Sequence, residues 1–226
     1  MKLITNAENV DVLYEDNHVI AVNKRVGDIV QGDKTGDTPL SDIVRQYLKQ
    51  KYNKPGEVFL GVVHRLDRPT TGVVLFAKTS KALARLNTMF ANKQEVQKTY
   101  WALVDAKPPV EEDTLTHWLV RNEKQNKSVA YNKEIQHSKK AVLHYNLLKS
   151  YERYYLLEID LITGRHHQIR AQLATIGLHI KGDLKYGAKR SNPDGGICLH
   201  AYSLSFVHPV KKEPIKIIAE APFSFL

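Results

Sequence analysis

The chain has 226 residues, 42% hydrophobic and 25% charged, a balance that supports a folded core and excludes a disordered protein. No uninterrupted apolar run approaches the roughly 18 residues that cross a bilayer, and residues 1–9 carry no apolar stretch of signal-peptide length, so a cytoplasmic protein away from membranes is expected. Lysine and arginine outnumber aspartate and glutamate by 33 to 24, giving +9 with neutral histidines. Such a surface attracts phosphate backbones, although charge alone fits a well-solvated basic surface equally. The single cysteine, Cys198, excludes an internal disulfide and a cysteine-based metal cluster, and its apolar neighbours read as a strand.

A glycine-containing loop, 27–38, precedes a helix in which Leu40, Ile43, Val44, Tyr47 and Leu48 recur at helical spacing. Thr38 is expected to cap it, with Pro39 in the first turn and Asp42 on the favourable end of the dipole. Val58–Val63 and Val73–Lys78 read as buried strands, and Ser80–Ala91 as a second helix with Leu83, Leu86 and Phe90 on one stripe. From Gln97 to Ile162 strands follow one another without crossover helices, including Lys139–Tyr151 and Arg153–Leu161, which suggests antiparallel pairing. His166–Gly177 reads as a helix with Ile169, Leu173 and Ile176 buried and Gly177 closing it. Arg170 borders that stripe and needs a partner. The polar loop 186–196 either grips a ligand or is a solvated connection, and two last strands start at Ile197 and Ile215. Between Arg121 and Lys140 six lysines and arginines face two glutamates, a second candidate contact surface. The pattern predicts an α+β (mixed α/β) fold with a largely antiparallel sheet in a single domain, 1–226, after a short tail, 1–9.

The segment His64-Arg65-Leu66-Asp67-Arg68-Pro69-Thr70-Thr71-Gly72 places one carboxylate among three potential cations on a loop between two apolar strands. In an extended segment Arg65 and Asp67 share a face, Pro69 keeps Arg68 extended, and the cations favour the ionised carboxylate. An ionised aspartate there acts either as nucleophile or base, or as one half of an Arg–Asp pair that steadies a turn. There is no dinucleotide fingerprint, no phosphate loop and no paired-histidine zinc motif. His166 and His167, adjacent on the expected helix, would face different sides, so no metal site is expected.

The HRLD segment followed by Thr70-Thr71-Gly72 resembles the signature of the RluA-type pseudouridine synthase family, in which a serine is usual where Thr71 stands. Val12–Lys24 resembles that family's N-terminal strand pair, Gln97–Val104 its tyrosine strand, and Leu161–Arg170 with Gly182-Asp183 and Tyr186-Gly187 its C-terminal motif. The resemblance implies the pseudouridine-synthase catalytic fold, helices flanking the sheet around a central cleft, and isomerisation of specific uridines in structured ribosomal or transfer RNA without cofactor or metal. It makes Asp67 the catalytic aspartate, as nucleophile or as base on the ribose, with Arg170 its salt-bridge partner. It makes Tyr100 the residue that stacks on the target base, where a strand tyrosine would otherwise read as core. It sends Arg65 into the space left by the everted base and places His64, Arg165 and Gln168 among the substrate contacts. The partner is then an RNA stem-loop, since a base inside a helix cannot reach a pocket, and a monomer is expected. His166 stands where threonine is frequent and Gln172 where histidine is frequent. Many relatives carry a separate N-terminal RNA-binding module, so specificity is expected here from the catalytic domain itself. Two rivals stand beside this reading. One is a catalytically silent RNA-binding protein, and the other a glycosidase using Asp183 as its second carboxylate.

Overall fold

The computed structural model describes residues 4–33, 35–92 and 95–223. Residues 1–3 of the expected tail and residue 34 of the expected loop lie outside the described residues. Thr5 and Ala7 are buried, and the Thr5 hydroxyl donates to Asp28 at 2.9 Å. The chain forms two compact units, one of residues up to Gln97 with Ala201–Pro222, the other of Lys98–His200 with Phe223.

In the first unit β1 (Val12–Glu15), β2 (Val19–Lys24), β3 (Gly61–Val62) and β4 (Thr71–Ala77) are joined by β10 (Leu199–Val207, from Ala201 on) and β11 (Pro214–Ile218). The order runs β1-β2-β4-β10 with β11 on β10, and β3 also pairs with β4. Strand alternation sorts the core. Val19, Ala21, Val73, Leu75 and Ala77 pack with Ala82, Leu86 and Met89 of helix α2 (Ser80–Asn92), whereas Ile20, Val22, Val74 and Phe76 pack with Leu40, Val44 and Leu48 of helix α1 (Leu40–Lys51). Because both faces are covered, β4 is a continuous buried run, as its sequence suggests.

Two local expectations need correction. Thr38 does not cap α1: Pro39 holds the cap position in an extended conformation, and the first helical N–H groups of Leu40 and Ser41 donate to the carbonyls of Ile29 and Val30 at 2.7 and 3.2 Å. Tertiary carbonyls thus satisfy the groups that a cap side chain would serve. The strand expected over Val58–Val63 contracts to Gly61–Val62, although Val58 and Leu60 remain buried against α1.

In the second unit the order is β5 (Val96–Val104), β9 (Tyr155–Leu161), β8 (Lys139–Ser150), β6 (Glu112–Asn122) and β7 (Lys127–Tyr131), every pairing antiparallel. Helix α3 (Gln168–Thr175) lies on the face that carries Leu119 and Ala141. It is shorter than expected. His167 takes a left-handed conformation (φ 52°) that bars the helix from starting earlier, and Gly177 (φ 78°) ends it while Leu178 N–H donates to the Leu173 carbonyl at 2.9 Å. The α+β class and the largely antiparallel pairing are as expected from sequence.

An acidic pair anchors one end of the first unit. Glu15, mostly buried, accepts from Lys51 Nζ, Lys78 Nζ and Tyr52 Oη, each at 2.7 Å, and from Tyr47 Oη at 3.1 Å. Burial alone would raise its pKa, but the hydrogen bonds from Lys51, Lys78 and Tyr52 outweigh burial and hold it down to about 2. Burial is likewise outweighed at Asp16 by the N–H groups of His18 and Val19 and the Tyr14 hydroxyl, which bring it to about 2. A carboxylate depressed on folding contributes stability that is complete above its ordinary value and is lost as pH falls toward 2. Glu15→Gln should therefore lower the urea midpoint at pH 6 and converge with the wild type near pH 2. A gap that is constant with pH would contradict the ion-pair origin.

Candidate active site

Asp67 sits half-buried on the loop between β3 and β4, and its carbonyl accepts the Thr70 N–H at 3.0 Å, closing a tight turn through Pro69. That turn is held from below by a lysine. Lys24, at the end of β2 and 1% exposed, donates its ammonium hydrogens to the carbonyls of Arg25, Arg68 and Thr70 at 3.0, 3.1 and 2.7 Å. Gly27 N–H adds a second donor to the Arg68 carbonyl at 3.0 Å. A buried ammonium is tolerated only when its donors are satisfied, so the lysine and the loop geometry specify each other. Gly72 re-enters the sheet at φ 112°, and a Cβ there would fall 2.3 Å from the Ala201 carbonyl oxygen, so no other residue fits.

The three cations flanking Asp67 in sequence have different tasks. Arg68 reaches Asp37 at 2.6 Å and the Thr35 hydroxyl at 2.8 Å, tying the loop to the 33–37 segment. His64 is committed to structure, its Nε2 accepting the Leu75 N–H at 3.1 Å and its ring stacking on Phe90 at 5.2 Å between centroids. Arg65 is exposed, and its guanidinium makes no ion pair among the described residues.

In the second unit Tyr100 is buried on β5 opposite Ile159, which is opposite Tyr145, and so lies on the sheet face that α3 covers. Arg170, on α3, makes a two-pronged contact with Asp183: Nε to Oδ2 at 2.6 Å and Nη2 to Oδ1 at 2.8 Å, with both side chains almost fully buried. Its guanidinium lies 4.9 Å from the centre of the Tyr186 ring. A fork of this kind fixes the plane of the guanidinium as well as its position. With both oxygens taken, Asp183 cannot serve as the acid of a glycosidase, which removes that rival.

Gln168 and Arg165, expected among the substrate contacts, are engaged in the protein itself. Gln168 Oε1 accepts from the Thr163 hydroxyl (2.7 Å) and Arg165 N–H (3.0 Å), while its Nε2 donates to the Val142 carbonyl (3.1 Å). Arg165 is exposed and donates Nε to the Lys140 carbonyl at 3.1 Å. The expectation that His166 and His167 face opposite sides is overturned. Both precede the helix, and the left-handed turn at His167 stacks their rings at 3.8 Å. Gln172, the other unusual position, is buried and donates Nε2 to the carbonyls of Leu115 and Ala141 at 3.1 and 3.3 Å, beside His117 at 3.0 Å. Burial lowers the pKa of His117.

Lys24 has no role among the residues expected from sequence, and Asp183 and Tyr186, expected as parts of the C-terminal motif, frame Arg170. The sequence signals were a lysine inside an apolar strand and an acid near the arginine's helix.

The fold is that of pseudouridine synthases: the solved structure of human RNA pseudouridylate synthase domain containing 4 superposes with a TM-score of 0.78 at 24% identity, over 95% of this chain and 90% of that one. The sequence pattern of the family described as RNA pseudouridylate synthase matches residues 18–175. The uncharacterized RNA pseudouridine synthase YlyB of Bacillus subtilis is 31% identical over 98% of this chain and 72% of its own length. Ribosomal large subunit pseudouridine synthase D of Xylella fastidiosa is 32% identical over 94% and 66%, and synthase C of Rickettsia prowazekii 32% identical over 95% and 69%. The chain belongs to the RNA pseudouridylate synthase family, of the RluA type, whose activity is that of an isomerase.

Replacing Lys24 with methionine keeps the apolar stem, removes the ammonium donor from the carbonyls of Arg25 and Thr70, and leaves the Arg68 carbonyl with the Gly27 N–H. The expected loss of unfolding free energy is about 2–4 kcal/mol by urea denaturation. A loss below about 1 kcal/mol would show that the ammonium does not hold the loop.

Proposed function

We propose that the protein converts specific uridines of a structured RNA to pseudouridine, with Asp67 as the catalytic carboxylate. In this reaction the bond from ribose C1′ to N1 of uracil breaks, the base turns, C1′ joins C5, the C5 proton is lost and N1 gains one. There is no net redox change or hydrolysis, so the chemistry calls for an ionised carboxylate beside the sugar rather than for a cofactor or metal. The observation that carries the reading is the loop itself: an aspartate half-exposed on a turn that a buried lysine, a glycine and a proline hold rigid. Such rigidity suits a residue that must meet a transition state, because a group already in place needs no reorganisation.

Arg170, its guanidinium plane set by Asp183, is assigned as the partner of Asp67, and Tyr100 as the ring that meets the target base. Arg65, exposed beside Asp67, takes the place left by the everted uracil. His64, Arg165 and Gln168 act through position rather than direct recognition, since their hydrogen bonds hold the protein's own segments in place. Two relatives named for the ribosomal large subunit make ribosomal RNA the first substrate to test, with transfer RNA next. The whole chain 1–226 is taken as one catalytic domain acting as a cytoplasmic monomer on an RNA stem-loop.

Incubation of wild type and Asp67→Asn with ribosomal and transfer RNA, followed by mapping of pseudouridine, tests the assignment. The variant should lose on the order of 10³-fold or more in rate while binding RNA within a few-fold of wild type. Turnover within tenfold of wild type would remove Asp67 from the chemistry. Binding by wild type without any isomerisation would favour a silent RNA-binding protein.

A further inference from the structure

The six cations between Arg121 and Lys140 are one cluster in sequence, but the strand register divides them. Leu119 pairs with Lys139, and His117 with Ala141, so Arg121, two residues beyond Leu119, shares with Lys139 the sheet face that holds Ala141, α3 and Tyr100. Trp118 pairs with Lys140, which puts that lysine on the opposite face. Lys124 is exposed at the tip of the β6–β7 hairpin, and Lys127 turns inward, its ammonium 5.0 Å from the centre of the Tyr186 ring.

The tip is fastened to the Arg170 framework almost wholly by polar bonds. His166 places Nδ1 at 2.9 Å from the Ser128 hydroxyl and Nε2 at 3.1 Å from Asn126 Oδ1. Tyr186 Oη accepts the Ser128 N–H at 2.8 Å and lies 2.9 Å from Nδ1 of His167. Lys185 Nζ donates to the carbonyls of Asn126 and Gln125 at 3.1 and 3.5 Å. Directional bonds of this kind add little stability each but fix where an exposed hairpin stands. The result is a cationic edge of Arg121, Lys124 and Lys185, opposed locally by Glu123, in which Arg121 stands on the side of the sheet that carries Tyr100 and α3.

We propose that the tip of the β6–β7 hairpin, locked in place by His166, is a preformed docking surface for the phosphates of the RNA that flanks the target uridine. The inference rests on the RNA substrate proposed above. Fixed cations bind phosphate without the ordering cost of a mobile loop, and they specify orientation rather than sequence. On this account His166, unusual for the family at its position, tunes how the RNA is held and leaves the reaction itself alone.

RNA affinity and its salt dependence, with pseudouridine formation followed on the same RNA, test the surface in the full chain. Combined Arg121→Glu and Lys124→Glu should weaken binding at least roughly tenfold and flatten the slope of log K against log salt by about 1 to 2, raising KM more than it lowers kcat. Lys49→Glu with Lys107→Glu makes the same charge change at exposed positions elsewhere and should leave the affinity within about twofold if local phosphate contacts outweigh net charge. His166→Ala keeps every cation and should weaken binding with the slope retained. If the hairpin pair binds like wild type, or no worse than the control pair, the docking surface is refuted while isomerisation by the wild type still stands. If the wild type forms no pseudouridine, it is the substrate assignment that fails.

Discussion

The arrangement at the centre of this molecule depends on one buried ammonium. Lys24 lies at the end of a strand whose Val19, Ile20, Ala21 and Val22 build the core, and its ammonium donates to the carbonyls of Arg68 and Thr70 in the segment that carries Asp67 and to the carbonyl of its neighbour Arg25. Burial would be prohibitive for an unpaired lysine, so the carbonyls must be where they are for the unit to fold. The backbone position of the aspartate follows from the folding of the first unit. Arg68, His64 and Gly72 then tie the same loop to the 33–37 segment, to β4 and to β10. Arg65 is exposed on this loop, and Arg68 keeps 39% of its side chain open to solvent beside its contacts to Asp37 and Thr35.

The second unit solves a similar problem with different chemistry. Its arginine is fixed by a fork to Asp183 and by the face of Tyr186, and the Tyr186 hydroxyl joins His167 to the backbone at Ser128. Helix α3, the 3₁₀ turn at Leu184–Tyr186 and the β6–β7 hairpin therefore form one hydrogen-bonded frame. Gly187, at φ 105°, ends the 3₁₀ turn where a Cβ would run into the His179 ring. These polar contacts fix the conformation of the segment after β9 beside the apolar side chains it buries, among them Ile169, Leu173, Leu178 and Ile180.

Much of this was legible in the sequence where periodicity or turn chemistry decides the structure. Helices α1 and α2, the apolar run of β4 and the antiparallel succession from β5 to β9 follow from spacing, and Gly177 marked the end of α3. What could not be read depends on contacts distant in sequence. Thr38 looks like a cap, but carbonyls from Ile29 and Val30 do that work. The adjacent histidines look divergent on a helix, and a left-handed residue that glycine usually occupies stacks them instead. Lys24 follows an apolar strand, but that signal is weak against the rule that lysines normally lie at the surface. The charges between Arg121 and Lys140 could be counted but not sorted, since a one-residue change of register would exchange their faces.

The central claim is that the carboxylate of Asp67 is set in advance against the sugar of an everted uridine. A crystal structure of the protein with a ribosomal or transfer RNA stem-loop, its target uridine replaced by an analogue that resists isomerisation, tests that directly. The account predicts that nucleoside out of its stack, with an Asp67 oxygen in van der Waals contact with ribose C1′. A bound nucleoside whose sugar lies against another part of the chain, away from Asp67, would contradict it.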